Sequence, residues 1–180
     1  MRAGIAALIA GYVLSQFYRA FLAVLTGDLA RDIGADPGDL AISSGLWFLA
    51  FALMQIPVGE ALDRVGPRLT TAVLLTVAAA GAAVFAMADS AGDVHLAMIL
   101  IGAGCSPVLM ASYFIFARIY SPAVFGTLAG AVVGAGSLGN ILGAAPLAAL
   151  VAATGWRAAL TGLAVVTLGV AAVILAFVRD

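Results

Sequence analysis

Charge is what this sequence most lacks. Charged side chains make up 9% of its 180 residues, whereas soluble domains carry about a quarter. Apolar residues make up 64%, and the mean hydropathy is +1.18. So few charges cannot cover a soluble surface, which excludes a soluble enzyme and a disordered chain. The net charge of −1 supplies no basic surface for DNA or RNA, so no nucleic-acid partner is expected.

Lysine is absent as well, because all eight basic residues are arginine. Together with abundant alanine and glycine, this favours a bacterial source with a GC-rich genome. Cys105 is the only cysteine, so neither an intrachain disulfide nor a cysteine zinc site can form. The sequence has no nucleophile–base pair, metal-ligand cluster or phosphate-binding loop. We therefore expect no enzyme activity, no cofactor and no metal.

Long apolar runs are what the sequence has instead. A helix needs about 20 apolar residues to cross a bilayer. Six stretches are long enough, and only short connections remain between them. The sequence thus predicts an all-α membrane protein with a single six-helix domain over residues 1–180. The predicted spans are 4–26, 40–62, 69–88, 94–117, 124–152 and 158–178.

Turn-forming residues separate these spans. We expect Asp39 to cap the second helix and Asp93 to cap the fourth. Proline belongs in the first turn of a helix, which predicts that the third helix begins at Pro67 and the fifth at Pro122. Gly155 separates the fifth helix from the sixth.

The arginines predict the orientation. Cytoplasmic loops carry an excess of basic residues. With the N-terminus in the cytoplasm, five arginines lie inside and two outside, and the opposite topology inverts this bias. Both termini are therefore predicted to be cytoplasmic. The inside set is Arg2, Arg64, Arg68, Arg118 and Arg179, and the outside set is Arg31 and Arg157.

The densest charge cluster lies between the second and third spans. It reads Gly-Glu-Ala-Leu-Asp-Arg-Val-Gly-Pro-Arg over residues 59–68. Gly59 permits close backbone approach at a helix end. Asp63 is placed to meet the positive N-terminal end of a neighbouring helix. Arg64 and Arg68 can bind carboxylates or lipid phosphates.

This cluster resembles the loop between helices two and three of the major facilitator superfamily, which reads G-x-L-x-D-R-x-G-x-R. Ala61 replaces the leucine at the third position. Residues 155–157, Gly-Trp-Arg, resemble the family pattern between helices five and six. The resemblance covers the whole chain as an amino-terminal six-helix half. It implies two inverted three-helix repeats, about residues 1–90 and 91–180.

The resemblance also implies a function for the loop. In the family it acts as a cytoplasmic latch, which forms in one access state and breaks in the other. The matching positions are Gly59, Asp63, Arg64, Gly66 and Arg68.

Two departures from the family argue against a proton antiporter. Met98 occupies the position of a family arginine in helix four, and Ala135 occupies that of a proline in helix five. No acidic residue lies deep within a predicted span, where proton coupling usually needs one. The glycines of the fifth span are interpreted as packing positions, namely Gly130, Gly134, Gly136, Gly139 and Gly143.

Arg19 is the most informative residue for a substrate site because it lies well inside the first span. With Tyr12, Ser15 and Gln16 it forms a stripe at helical spacing. One interpretation is a cationic anchor for an anionic or carbonyl-bearing substrate. The other is an arginine that snorkels to the interface or pairs structurally.

Other polar residues are weaker candidates for the same cavity. In the family, helices one, two, four and five border it, while three and six pack outside. Serines are also common as packing hydroxyls, so that interpretation stays open for Ser106. Pro107, which follows it, should break the hydrogen-bond ladder of the fourth span. The candidates on these helices are Gln55, Ser106, Tyr113 and Asn140.

The sequence as a whole therefore predicts a secondary transporter, or half of one, that moves a small polar solute by alternating access. The arginine favours an anionic solute. Expected partners are membrane lipids and a second six-helix half, which a second copy in a parallel homodimer would supply. The expected location is the bacterial inner membrane. The alternative is a membrane scaffold, or an isolated folding module of a longer transporter, that does not transport.

Overall fold

The structure is a computed structural model that describes residues 2–178. These residues are helical almost throughout, and no strand occurs among them. The helices are α1 (Arg2–Val24), α2 (Thr26–Ile33), α3 (Pro37–Leu53), α4 (Gln55–Arg64), α5 (Pro67–Ala86), α6 (Ala91–Cys105), α7 (Pro107–Ile119), α8 (Pro122–Leu142), α9 (Ala145–Thr154) and α10 (Trp156–Phe177).

Six helices or helix pairs are long and apolar enough to cross a membrane, which confirms the predicted number. Spans one, three and six are single helices, namely α1, α5 and α10. Spans two, four and five each consist of two segments, namely α3 with α4, α6 with α7, and α8 with α9. The ends of the spans agree with the predicted ones to within a few residues.

The caps of spans two and four differ from the prediction by three residues. Asp36 and Ser90 are the N-caps, and Asp39 and Asp93 stand at the third helical position of each helix. In both helices the cap side chain accepts the backbone N–H of that aspartate, whose carboxylate accepts the cap's own N–H. The sequence rule found the residue at the third helical position of each capping box instead of the cap itself.

The connection between spans one and two contains a helix that the sequence did not predict. This short helix, α2, buries Leu29 and ends at Gly34, which adopts a left-handed conformation with φ 69°. Its polar side chains outnumber its apolar ones, so a search for apolar runs misses it.

The packing order of the spans is two, four, three, six, one and five, with each span packed against the next. This set of neighbours is unchanged when spans one to three are exchanged with spans four to six. An inverted repeat requires that exchange symmetry, and the division near residue 90 stays a prediction. Spans one, three and four are half or more buried, whereas less than a third of spans two, five and six is buried.

The centre of the bundle is aromatic. Phe21, Phe85 and Phe116 are fully buried, and the Phe21 and Phe85 rings meet edge to face with centroids 5.3 Å apart. The buried Tyr18 hydroxyl is 2.8 Å from the hydroxyl of Thr167, which joins span one to span six. These contacts join span one to span three through Phe21 and Phe85, and to span six through Tyr18 and Thr167.

Candidate functional site

Arg19 lies against a group of aromatic rings from span two. Its guanidinium carbon is 5.1 Å from the centroid of the Trp47 ring, 5.9 Å from that of Phe48 and 5.0 Å from that of Phe51. Trp47 and Phe51 stack with centroids 5.2 Å apart. Each cation–π contact contributes about 0.5–2 kcal/mol, depending on how far water is excluded. We call Arg19, Trp47, Phe48 and Phe51 the arginine–aromatic cluster.

Arg19 and Gln16 both have partners within this single six-helix half. Arg19 has three ring faces, and the Gln16 side-chain amide donates to the Tyr12 hydroxyl at 2.6 Å. Arg19 nevertheless remains exposed, and none of the four ion pairs found among the described residues involves it.

Trp47 has a packing role in addition to its contact with Arg19. The side chain is 1% exposed, and its indole N–H has no acceptor among the described residues. The Ser43 hydroxyl, one helical turn earlier, is buried and unpaired in the same way. An unpaired polar group costs several kcal/mol in an apolar environment. The interface between spans two and four therefore contains two unpaired polar groups, and burying them costs free energy that the packing of the two spans must offset.

The predicted polar stripe of span one is divided among three neighbours. Arg19 faces the rings of span two. Ser15 is buried and lies beside the Cys105 thiol of span four. Tyr12 and Gln16 face Gly136 on span five. The helical spacing of these residues was correct, but the stripe is not one open polar surface.

Glycines set the distance between spans one and five. A Cβ atom at Gly139 would collide with the main-chain oxygen of Val13, and one at Gly136 would collide with the Tyr12 ring. A Cβ atom at Gly143 would lie 3.1 Å from the main-chain oxygen of Phe17, which is a tight contact but not a collision. Of the five predicted packing glycines, these three are confirmed, whereas Gly130 and Gly134 face open space. Asn140 follows Gly139 directly and is exposed beside this seam.

Gln55 and Ser106 lie where two spans are broken. Pro107 has no N–H for the oxygen of Ala103, and the Ser106 hydroxyl donates to that oxygen instead, at 2.6 Å. The Gln55 amide donates to the oxygens of Phe51 at 3.0 Å and Ser106 at 3.5 Å. The two breaks therefore meet in the structure, and Ser106 itself is 1% exposed.

Tyr113 lies apart from the arginine–aromatic cluster. Its ring packs edge to face on Phe125, with centroids 5.8 Å apart, and so joins span four to span five. The predicted site residues thus form four groups. Arg19 lies with the rings of span two, and Tyr12 with Gln16 lies beside Asn140. Gln55 lies with Ser106 at the two helix breaks, and Tyr113 stands apart on Phe125.

In the charged loop between spans two and three, Arg64 forms an ion pair and Asp63 forms none within residues 2–178. Arg64 pairs with Glu60 on its own helix at 3.0 Å, and both side chains are exposed. Asp63 is exposed, with no ion pair or hydrogen bond among the described residues. Gly66 has φ 95°, which an L-residue rarely adopts, and it allows Pro67 to start α5. A methyl group added at Gly59 would have no other atom within 4 Å, so the close approach expected there does not occur among the described residues.

The opposite end of the bundle carries a polar network around α2. The Trp156 indole donates to Asp32 at 2.8 Å, and Arg31 binds both Asp28 and Asp32. The hydrogen bond from Trp156, followed by that from Arg31, lowers the pKa of Asp32 below its usual value. Sequence reasoning used Trp156 only for a family resemblance and Arg157 for that resemblance and for the orientation. It did not find the network, because α2 itself was not predicted.

Sequence reasoning also missed Phe48 as part of the site. The sequence pattern that could have identified it is a group of three aromatic residues, because Phe48 adjoins Trp47 and precedes Phe51 by one turn. An aromatic group at that spacing suits a cation on a facing helix. Spacing along one helix does not reveal which other helix it faces, and this contact depends on that pairing.

Comparison with known proteins assigns the family. The chain matches the family model described as Major Facilitator Superfamily over residues 8–180. A comparison with curated proteins found no match. The match covers most of span one, all of the other five spans and the charged loop, and the family consists of membrane transporters that are not enzymes. The chain therefore belongs to the Major Facilitator Superfamily.

Proposed function

We propose that this protein moves a small anionic solute across the membrane by alternating access, with Arg19 as the anchor for the solute. The observation that carries the proposal is the environment of Arg19. It is an exposed cation within a membrane-spanning helix, and its contacts among the described residues are aromatic faces instead of carboxylates.

The geometry of the guanidinium favours an anion. Its planar faces suit aromatic rings, whereas its N–H groups point outward from its edge. Those donors match the two oxygens of a carboxylate or phosphate. A charge within the membrane costs about 2.5–3.5 kcal/mol on insertion scales, and a bound anion would offset that cost. Cation–π contacts do not neutralise the charge of Arg19, so its guanidinium can still bind an anion.

The neighbouring polar groups supply secondary contacts in this proposal. Gln16 and Tyr12 form one hydrogen-bonded pair beside Asn140, and Gln55 lies at the break in span two. Tyr113 would contact the solute only from the span-five side. Ser106 is the weakest of these candidates, because its hydroxyl is buried and already donates to Ala103.

The charged loop is proposed to control the access state. Asp63 is exposed at the end of span two and is available to meet a helix of a second half. The rest of this proposed latch consists of Gly59, Arg64, Gly66 and Arg68. Asp63→Asn should therefore change the balance between the two access states more than the affinity for the solute.

We further propose a bacterial inner-membrane location with both termini in the cytoplasm. The arginine bias supports this orientation. A second six-helix half is required for a central site, and a parallel second copy would supply it. The exposed apolar faces of spans two and five support such a contact. Ile42, Phe48 and Leu49 of span two are each more than half exposed.

A ligand-dependent thermal shift tests the role of Arg19. The purified protein would be screened with organic anions, amino acids, sugars and metal chelates. A ligand at 100 times its Kd stabilises by about 2.7 kcal/mol. We expect at least one anion to raise the melting temperature of the wild type and to have no effect on Arg19→Ala.

Arg118→Ala is the matched control for this screen. Arg118 also lies over a ring, 3.9 Å from the centroid of Phe114, but it is near the end of span four. The anion shift should persist in that variant. A shift of equal size in Arg19→Ala would refute the anchor role and support the snorkelling interpretation. Absence of any shift, with no uptake by reconstituted protein, would favour the scaffold alternative.

A further inference from the structure

The starts of spans three and six each carry an arginine that reaches the end of the other span. Arg68 stands in the first turn of α5, and its Nε donates to the main-chain oxygen of Leu175 at 2.6 Å. Leu175 lies in the last turn of α10. Carbonyl groups in the last turn of a helix have no partner within the helix and carry partial negative charge. A guanidinium is well suited to bind there.

Arg157 makes the reciprocal contact at the other end of the same pair of helices. It stands in the first turn of α10, and its Nη1 donates to the oxygens of Ala86 at 3.2 Å and Ala88 at 2.9 Å. Ala86 is the last residue of α5. The Nη2 of Arg157 also donates to the Asp89 carboxylate at 3.2 Å. Each arginine thus binds the carboxyl end of the helix that the other arginine begins.

The two contacts occupy matching positions in the sequence. Arg157 follows Arg68 by the same number of residues as Leu175 follows Ala86. The same interval separates Gly66 from Gly155. These glycines precede α5 and α10 with nearly equal backbone angles, φ 95° and ψ 159° for Gly66 and φ 82° and ψ 154° for Gly155. Each angle pair turns the chain so that an arginine two positions later crosses to the neighbouring helix.

We infer that Arg68 and Arg157 are paired clamps that join spans three and six at both ends into one rigid unit. The two helices also pack along their length, and Thr167 of α10 anchors Tyr18 of span one to this unit. The clamps hold spans three and six together, whereas the arginine–aromatic cluster lies on spans one and two. The position of span one, which carries Arg19, then depends on the unit formed by spans three and six.

This inference separates Arg68 from the other charged residues of its loop. Arg64 binds Glu60 one turn earlier in its own helix, and the Asp63 side chain is exposed. The Arg68 contact lies within the half, so it needs no second half and no change of access state. The clamp does not depend on the proposed transport function, whereas the latch role of Asp63 does.

Amide hydrogen exchange with mass spectrometry tests the clamps, using Arg68→Gln and Arg157→Gln in the full chain. The expected pattern is crossed. Arg68→Gln should raise exchange in the last turn of α10, and Arg157→Gln should raise it in the last turn of α5. Because the hydrogen bond that is lost comes from a charged donor that is partly exposed to solvent, each variant should also melt about 2–4 °C lower.

Arg64→Gln is the matched control, since it removes an arginine of the same loop whose ion pair among residues 2–178 is with an exposed carboxylate on its own helix. It should leave both helix ends and the melting temperature unchanged. Arg68→Lys keeps a cation at the helix end and should give an intermediate increase in exchange, which provides a readout if the glutamine variant does not fold. Unchanged exchange at the end of α10 in Arg68→Gln, or an equal increase in Arg64→Gln, would overturn the inference.

Discussion

At the scale of single residues, the contact between Arg19 and the rings of span two is the feature on which the proposed site depends. Sequence alone identified Arg19 by its depth in an apolar run and by the polar residues at helical spacing around it. It could not identify Phe51 as a partner, because hydrophobic periodicity shows which residues share a helix face and not which helix that face meets. Tertiary packing decides that choice.

A double-mutant cycle measures this contact. Arg19→Gln, Phe51→Leu and the double variant should show a coupling of about 0.5–2 kcal/mol in the free energy of unfolding. The physical reason is that Leu keeps the apolar volume but has no ring face for the cation. The measurement is denaturant unfolding in mild detergent.

Phe85→Leu combined with Arg19→Gln is the control cycle. Phe85 is fully buried and packs on Phe21 and Trp156, away from Arg19. Its coupling to Arg19 should be close to zero. Equal coupling energies in the two cycles would show a general effect of removing Arg19. They would contradict a specific cation–π contact between Arg19 and Phe51.

At the scale of helices, most of the architecture follows from the sequence. Runs of about 20 apolar residues located all six spans, and Pro67, Pro122 and Gly155 located three of their boundaries. The break at Pro107 was predicted because proline lacks the N–H that the helix needs. Pro57 and Pro146 lie just after the other two breaks and carry the same signal, which was not used. The helix α2 is too short and too polar for such rules.

The seam between spans one and five should be intolerant of a single methyl group. Gly139→Ala would drive a Cβ atom into the main-chain oxygen of Val13, and main chain cannot move aside as a side chain does. Overpacking of this kind costs about 1–3 kcal/mol. We expect a lower melting temperature, measured by thermal unfolding of the purified protein.

Gly169→Ala supplies the comparison for this prediction. Gly169 is in the middle of α10 and has open space around it, so alanine should be neutral or stabilising by up to about 1 kcal/mol through helix propensity. If both variants melt at the same temperature, close backbone approach does not set the spacing of spans one and five.

The contact between Trp156 and Asp32 should be sensitive to acid. The pKa of Asp32 is lowered, first by the Trp156 hydrogen bond and then by Arg31, with Arg157 adding to the effect. A carboxylate whose pKa is lowered in the folded state stabilises that state at pH values above its unfolded pKa of about 3.9. That contribution is lost as the pH falls through the lower folded value. Trp156 fluorescence, measured in a Trp47→Phe background, should therefore be constant from neutral pH to about pH 4 and change below it.

Two variants locate this transition. Asp32→Asn keeps an acceptor for the indole but has no charge to titrate, so it should remove the transition. Asp36→Asn preserves a helix cap and does not touch Trp156, so it should retain the transition. A transition that persists in Asp32→Asn would assign it to another carboxylate, such as Asp28.

For the whole molecule, we propose that an anion crosses the membrane through a pathway built around Arg19. This proposal is tested by uptake of labelled acetate, succinate and phosphate into liposomes that hold this chain alone. We expect saturable uptake of at least one anion, lost in Arg19→Ala, kept in Arg118→Ala, and accompanied by a dimer mass in native mass spectrometry. Wild-type uptake of all three anions no faster than in empty liposomes, although the dimer is present, would contradict it.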